Sequence, residues 1–120
     1  MTRDHRRLEV FQRADDLAVE VFRTAAALPA CERYGLQAQL RRAAVSVPAN
    51  IVEGSARPTL AEYCRFLGIA LASAREVVYL LGLARRLGFL HVGDSERLER
   101  GYGVVQGMLH NVIRGLERRK

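Results

Sequence analysis

The sequence predicts an all-α protein, folded as one up-down-up-down antiparallel four-helix bundle over residues 1–120. Three observations predict this fold. Apolar residues recur at spacings of three and four in four separate segments, which is the pattern of one helix face. Short stretches containing proline, glycine or aspartate separate these segments, and short connections make neighbouring helices antiparallel. The chain has 120 residues, of which 49% are hydrophobic, which is enough for one core and too short for a second domain.

The first two helices are each predicted from one apolar stripe. The first spans about residues 9–28 and ends before Pro29, because the residue that precedes a proline is pushed out of the helical region. The second spans about residues 33–55, and its stripe keeps phase through Pro48, which favours one helix kinked at Pro48 over two separate helices. The stripes consist of Phe11, Ala14, Leu17, Ala18, Val21, Phe22, Ala25 and Leu28, and of Leu36, Leu40, Ala43, Ala44, Val47 and Ile51.

The third helix is predicted over about residues 60–87. Thr59 and Glu62 have the spacing of a capping box, in which the threonine caps the helix and the glutamate reaches back. Gly88 follows the last turn and is expected in the left-handed conformation that ends many helices.

The fourth helix is predicted over about residues 95–118, with Asp94 as its N-cap. Gly103 and Gly107 lie on one face of it, and Gly68 is a similar small residue on the third helix. Each glycine costs a helix about 1 kcal/mol relative to alanine, so these glycines predict places where two helices approach closely.

Positive charge is the main compositional clue to function. The chain has 19 basic and 13 acidic residues, a formal net charge of +6, and all its basic residues except Lys120 are arginines. Arginine forks match phosphate oxygens, which favours binding of nucleic acid. Genome base composition explains the arginine content equally well. Antiparallel connectivity brings eight basic residues to one end of the bundle, and these are the candidate nucleic-acid-binding residues: Arg3, Arg6, Arg7, Arg57, Arg114, Arg118, Arg119 and Lys120.

A polar stripe runs beside the apolar one on the second helix. It predicts either a solvated face or, because most of the helix circumference is apolar, a buried or interfacial polar network. We expect Arg42 to be buried in the protomer or in an oligomer interface, with Glu76 or Glu53 as its carboxylate partner, because an unpaired buried charge is very costly. The predicted network consists of Gln39, Arg42, Ser46, Asn50, Glu53, Ser73 and Glu76.

The residues that could support catalysis or metal binding are scattered. The three histidines lie far apart, Cys31 and Cys64 lack metal-ligand spacing, and no nucleophile accompanies Glu53 or Glu76. We therefore expect a protein that is not an enzyme and has no cofactor and no metal. The charged start, MTRDHRRLEV, does not resemble a secretory signal, and no apolar stretch of about 20 residues predicts a membrane span. A cytoplasmic location with reduced thiols is expected.

The second helix also carries a family resemblance. Residues 32–54, ERYGLQAQLRRAAVSVPANIVEG, resemble the signature of a bacterial four-helix-bundle family first described as proteins encoded in intervening sequences of large-subunit ribosomal RNA genes. That family is related to the accessory variability determinant of diversity-generating retroelements. The resemblance covers roughly residues 8–90 and extends to Leu8, Val10, Phe11, Gln12 and Ala14, and to Arg57, Glu62, Phe66, Leu67, Ile69, Ala70, Ser73 and Glu76.

This resemblance carries expectations that the residues alone do not. It implies a homopentamer with a basic surface and a nucleic-acid-associated role, which in the accessory group is that of a partner of a reverse transcriptase. It implies no enzymatic activity. Two positions depart from the family pattern, since Phe11 replaces the usual tryptophan and Ala72 replaces a common glycine. Both departures change side-chain size at expected packing positions.

Two functional hypotheses follow. The first is an oligomeric scaffold that binds RNA or DNA at the basic end through phosphates, which carry no sequence information. Aromatic side chains for base stacking are scarce, so binding of single strands by stacking is not favoured. The second is a structural or protein-interaction module whose charge only maintains solubility. Retention of RNA or duplex DNA of arbitrary sequence at low salt distinguishes them.

Overall fold

A computed structural model describes residues 3–119 of the chain and shows an all-helical bundle that measures 46 × 23 × 19 Å. Four long helices form it, and two short 3₁₀ turns lie before α1 and before α2. Lys120 lies outside the described residues. The helices are α1, Glu9–Ala25; α2, Leu36–Ser55; α3, Leu60–Arg86; and α4, Val92–Glu117, and the 3₁₀ turns are His5–Arg7 and Ala30–Glu32.

The four helices are arranged in a ring. α1 packs against α2, α2 against α3, α3 against α4, and α4 returns to α1. This order confirms the predicted four-helix bundle. Because the number of helices is even, residue 3, the α2–α3 turn and residue 119 lie at the same end of the bundle.

The connection between α1 and α2 is longer than predicted. α1 ends at Ala25 rather than Leu28. Side chains of α2 donate hydrogen bonds to carbonyl groups in the last turn of α1. The Gln37 Nε2 atom donates to the carbonyl of Ala25 (2.8 Å) and the Arg41 Nη2 atom donates to the carbonyl of Phe22 (2.8 Å). These bonds satisfy groups that a helix C-terminus leaves unpaired.

α2 starts at Leu36, three residues later than predicted. A 3₁₀ turn precedes it, and the Glu32 carboxylate of that turn accepts the backbone N–H of Leu36 at 3.1 Å. α2 then runs without a break through the buried Pro48, so the predicted continuity is confirmed. The kink at this proline stays a prediction.

The ends of α3 follow the sequence pattern. The Thr59 hydroxyl accepts the backbone N–H of Glu62 at 3.1 Å and donates to the Glu62 carboxylate at 3.0 Å, which confirms the capping box. Gly88 has a φ of 78°, as expected of a left-handed residue after a helix. The predicted cap of α4 is wrong. His91 Nδ1 accepts the N–H of Gly93 at 3.1 Å and starts the helix at Val92, which leaves Asp94 inside the first turn.

By length and composition α3 is apolar enough to cross a membrane, which the sequence analysis did not expect of any segment. Core helices of soluble bundles pass the same test. In this structure α3 packs between α2 and α4 and buries nine residues, from Tyr63 to Ala84.

The core is mostly aliphatic and contains few polar side-chain atoms. Among its largest fully buried side chains are Leu40, Ile51, Leu67, Leu81 and Leu98. α2 and α3 approach closely at Gly54 of α2, where a Cβ atom would lie 2.8 Å from Phe66 Cβ and 3.3 Å from the Tyr63 carbonyl oxygen of α3.

The glycines that were expected at close contacts between helices are not at such contacts. Gly68 of α3 and Gly103 and Gly107 of α4 face solvent, and an added Cβ would meet no atom within 4 Å. The prediction that they allow close approach within the protomer is therefore wrong. A stripe of glycines shows that one face of a helix has small side chains. It does not show that another helix packs against that face.

Tyr102 is an exception within this core. Its hydroxyl is fully buried and has no hydrogen-bond partner among residues 3–119. Burial, assisted by the nearby Glu20 carboxylate, raises the pKa of Tyr102 far above its ordinary value of 10.0.

We expect Tyr102→Phe to raise the free energy of unfolding by about 1 kcal/mol, because it removes an unsatisfied buried hydroxyl. Above a pH of about 10 the unfolded tyrosine ionises while the folded one stays neutral, so stability falls as pH rises. The phenylalanine variant should lose less stability there. Urea unfolding near neutral pH and at about pH 11 measures both effects. Equal pH dependence of the two proteins would contradict this account.

Candidate nucleic-acid interface

Three separate parts of the chain meet at the end of the bundle that holds residues 3 and 119. The backbone N–H of Arg3 donates to the Ser55 carbonyl at 3.2 Å, and Arg3 Nη1 donates to the Arg57 carbonyl at 3.0 Å. The guanidinium carbon of Arg3 also lies 4.5 Å from the centre of the Tyr63 ring. Arg3 thereby attaches the segment that precedes α1 to the α2–α3 turn.

The turn itself carries a second arginine stack. The guanidinium carbons of Arg57 and Arg65 lie 5.5 Å and 5.0 Å from the centre of the Phe66 ring. Such contacts hold a guanidinium in place while its outer N–H groups remain available. Arg65 was missed by the sequence analysis. The signal that could have found it is its position next to an aromatic residue in the first turns of a helix that starts at this end.

Acidic residues neutralise two of the predicted binding residues. Arg6 pairs with Asp4 at 3.0 Å, and this hydrogen bond lowers the pKa of Asp4, so the carboxylate stays charged. Arg57 Nη2 pairs with Glu53 at 2.8 Å. These two arginines are therefore weaker candidates for contact with phosphate than the sequence suggested.

The other basic residues at this end are free of carboxylates. Arg114 donates to the side-chain oxygen of Asn111 at 3.1 Å, and Arg7, Arg118 and Arg119 are exposed. Six arginines here make no ion pair within residues 3–119, and together we call them the basic end: Arg3, Arg7, Arg65, Arg114, Arg118 and Arg119.

Positive charge is not confined to the basic end. At the opposite end Arg85 pairs with Glu99 at 3.4 Å, and Arg97 pairs with Glu20. Four further arginines near that end make no ion pair within the described part of the chain: Arg23, Arg33, Arg41 and Arg86. The expectation of a single basic end is corrected to two, of which the end with the termini holds more unpaired arginines.

The predicted polar network forms at the seam between α2 and α3, but without its arginine. The hydroxyls of Ser46 and Ser73 lie 2.8 Å apart, and Asn50 Nδ2 donates to the Ser46 carbonyl at 2.7 Å. Gln39 Nε2 donates to the Glu76 carboxylate at 3.4 Å. These groups are half-buried or exposed, so the seam is a partly solvated face.

Arg42 is exposed and makes no ion pair within residues 3–119, so its expected burial in the protomer is wrong. At 3.6 residues per turn, Arg42 is rotated about 60° from Gln39 around the helix, whereas Ser46 is rotated by only about 20°. The glutamine and the serine bond to Glu76 and Ser73 of α3, whereas the arginine is exposed. Glu76 and Glu53 bind Gln39 and Arg57 instead. Burial of Arg42 in an oligomer interface stays a prediction.

An apolar groove of about 570 Å³ lies between α1 and α2. Val19 of α1 and Val45 of α2 line it and are 47% and 44% exposed. Phe22, Pro48 and Val52 extend the same surface. Phe22 belongs to the predicted apolar stripe of the first helix, but in the structure it is exposed and lines this groove, which the stripe does not predict.

The described residues hold no group of three histidine, cysteine or acidic side chains close enough to bind one metal ion. Cys31 is exposed and Cys64 half-buried, and both are free thiols.

Comparison with known proteins shows which family this chain belongs to. No curated protein matches the sequence significantly. A crystal structure of a protein of unknown function from Bacteroides thetaiotaomicron, assigned to the S23 ribosomal protein family, is similar over 87% of this chain and 97% of its own, with 24% identity and a TM-score of 0.81. The model of the 23S rRNA-intervening sequence protein family matches residues 6–111. This match spans most of the chain, all of α1, α2 and α3, and most of α4, so the chain belongs to the 23S rRNA-intervening sequence protein family.

Proposed function

We propose that this protein is a non-enzymatic, oligomeric scaffold that binds RNA through its phosphates and without sequence preference. The basic end carries the proposal, since six arginines without carboxylate partners converge there from three parts of the chain. The family name, which refers to an intervening sequence of 23S rRNA, suggests an RNA-related role, so RNA is the ligand that we propose.

The chemistry of the basic end favours contact with the nucleic-acid backbone. Arginine forks bind phosphate oxygens bidentately, and this contact has no preference for a base. Arg3 and Arg65 are held over the faces of Tyr63 and Phe66, so those rings are covered and a base cannot stack on the same faces. Phosphate contacts release counterions, so affinity should depend strongly on salt.

The apolar groove supports the oligomeric part of the proposal. Contiguous exposed apolar surface is typical of contacts between proteins, and four apolar residues of this groove are more than a third exposed: Val19, Phe22, Val45 and Val52. Self-association through the groove would repeat the basic end several times around one assembly and raise its avidity for a long RNA. A homopentamer is the assembly that the family resemblance implies. The same family resemblance implies a partnership with a reverse transcriptase, and this part of the proposal depends on the resemblance alone.

We expect the variant Arg114→Gln, Arg118→Gln, Arg119→Gln to bind RNA more weakly and to show a flatter dependence of affinity on salt. For duplex nucleic acid, the log–log slope should become shallower by about 0.9 for each phosphate that the variant no longer neutralises. The matched control is Arg23→Gln, Arg33→Gln, Arg86→Gln at the opposite end, which removes the same charge. Binding is measured between about 50 and 200 mM salt with RNA of two unrelated sequences.

Three results would change the proposal. Equal weakening in the two triple variants would show that net charge, rather than the basic end, drives binding. Unequal effects on the two RNA sequences would show base recognition. If the wild-type protein binds no RNA at low salt, the alternative function, a protein-interaction module that uses the apolar groove, is favoured.

A further inference from the structure

A cavity of about 480 Å³ opens at the basic end, between residues 3–8 and the last turns of α4. Leu8, Val112 and Leu116 line it with apolar side chains, and Arg3 and Arg119 line it with cationic ones. Cavities of about 300 to 1,000 Å³ with an apolar wall and a few polar groups are typical of small-ligand sites.

The polar groups of the cavity favour an anion. Its single carboxylate, Asp4, is already bound to Arg6, which lies outside the lining residues. The side-chain oxygen of Asn111 accepts a hydrogen bond from Arg114, so its amide N–H groups are left as donors. Arg3 is held against Tyr63, and Arg119 makes no ion pair within residues 3–119.

An apolar wall beside a group of donors matches a ligand with one apolar part and one anionic part. A nucleoside monophosphate has this chemistry, because its base is flat and its phosphate monoester carries up to two negative charges. An internal nucleotide of a strand has only singly charged diesters and is tethered on both sides. The cavity is large enough for one nucleotide and not for a folded RNA element.

We propose that this cavity binds a nucleoside monophosphate, with the base against Val112 and Leu116 and the phosphate against Arg3 and Arg119. The phosphorylated end of an RNA strand and a free nucleotide both supply this group. For the strand end the inference rests on the proposed function. It adds to that function a preference for strands that end in a phosphate.

Gly115 allows a test that leaves the charge unchanged. It lines the cavity on α4, and a Cβ atom added there would meet no atom within 4 Å, so Gly115→Leu should fill the cavity without straining the fold. Gly107→Leu is the matched control, because Gly107 is on the same helix, has equally open surroundings and does not line the cavity. Arg119→Gln, an exposed position, is an independent second variant.

Calorimetry measures binding of an RNA of about 12 nucleotides with a 5′-phosphate, with a 5′-hydroxyl and as a closed circle. We expect the 5′-phosphate to strengthen binding about tenfold, the size of one charge-assisted hydrogen bond, in the wild-type protein and in Gly107→Leu. Gly115→Leu and Arg119→Gln should lose this difference, and Gly115→Leu should bind the circle normally. AMP and adenosine form a second arm, in which a preference for AMP that Gly115→Leu abolishes identifies the free nucleotide as a source.

The circle separates the two proposals. Normal binding of the circle together with no effect of the 5′-phosphate, in the wild-type protein, overturns the cavity and leaves the proposed function intact. A 5′-phosphate effect of the same size in Gly115→Leu also overturns the cavity, because the extra charge alone would then explain it. Loss of all RNA binding, including the circle, in the wild-type protein overturns the proposed function, and the AMP arm then decides the cavity alone.

Discussion

Replacing Gly54 with alanine is expected to lower the free energy of unfolding by about 2 kcal/mol, which corresponds to a melting temperature about 8 °C lower. The new Cβ atom would lie 2.8 Å from Phe66 Cβ, 3.1 Å from Tyr63 Cδ1 and 3.3 Å from the Tyr63 carbonyl oxygen. Two of these atoms belong to or adjoin the α3 backbone, so a side-chain rotation cannot relieve the overlap. α2 and α3 must separate, and the separation loosens the core beside them.

The control for this substitution is Gly68→Ala, in which the new Cβ atom meets nothing within 4 Å. Alanine has a higher helix propensity than glycine, so this variant should be more stable by about 0.5 to 1 kcal/mol. Urea unfolding of both variants gives the comparison. A Gly54→Ala protein as stable as the wild type would show that α2 and α3 are farther apart than described.

Replacing Val45 with glutamate is expected to convert an assembly into single protomers of 13.4 kDa. Val45 lines the apolar groove and is 44% exposed, so the protomer tolerates a carboxylate there. Association would bury that charge against the valines of the groove, and an unpaired buried charge is too costly for the contact to persist. Size-exclusion chromatography with light scattering measures the mass.

Val104→Glu is the control, because Val104 is 48% exposed on α4 and does not line the groove. It should keep the mass of the wild-type protein, which for a pentamer is five times that of the protomer. An unchanged mass in Val45→Glu would place the contact on another face. A wild-type protein that is already monomeric would contradict the oligomeric part of the proposed function.

The fold could be predicted largely because its signals are local. The Thr59 capping box and the left-handed Gly88 depend on residues within a few positions of each other, and both are confirmed. The start of α4 was predicted wrongly for the same reason. His91 and Asp94 are both able to cap, and which one does so depends on the path of the chain after α3, which a local pattern does not specify.

The candidate site depends on contacts between helices, and there the sequence was a weaker guide. The gathering of basic residues at one end follows from connectivity alone and was predicted. Which arginines remain unpaired depends on side-chain reach: Glu53 neutralises Arg57, and no carboxylate reaches Arg65 among the described residues. The open surroundings of Gly68 and the apolar groove can be recognised only in the packed structure. A stripe of residues in the sequence does not show which other helix, if any, covers it.

The contact of Arg3 with the α2–α3 turn has a practical consequence for handling the protein. Arg3 and Arg119 line the same cavity, so a purification tag or a fluorophore attached next to either residue would lie beside the proposed RNA-binding surface. A circular permutant in which a short flexible linker joins the two termini, and which is opened between α3 and α4, would move both new termini to the opposite end. Such a molecule is suited to surface immobilisation, because it presents the basic end to the solution.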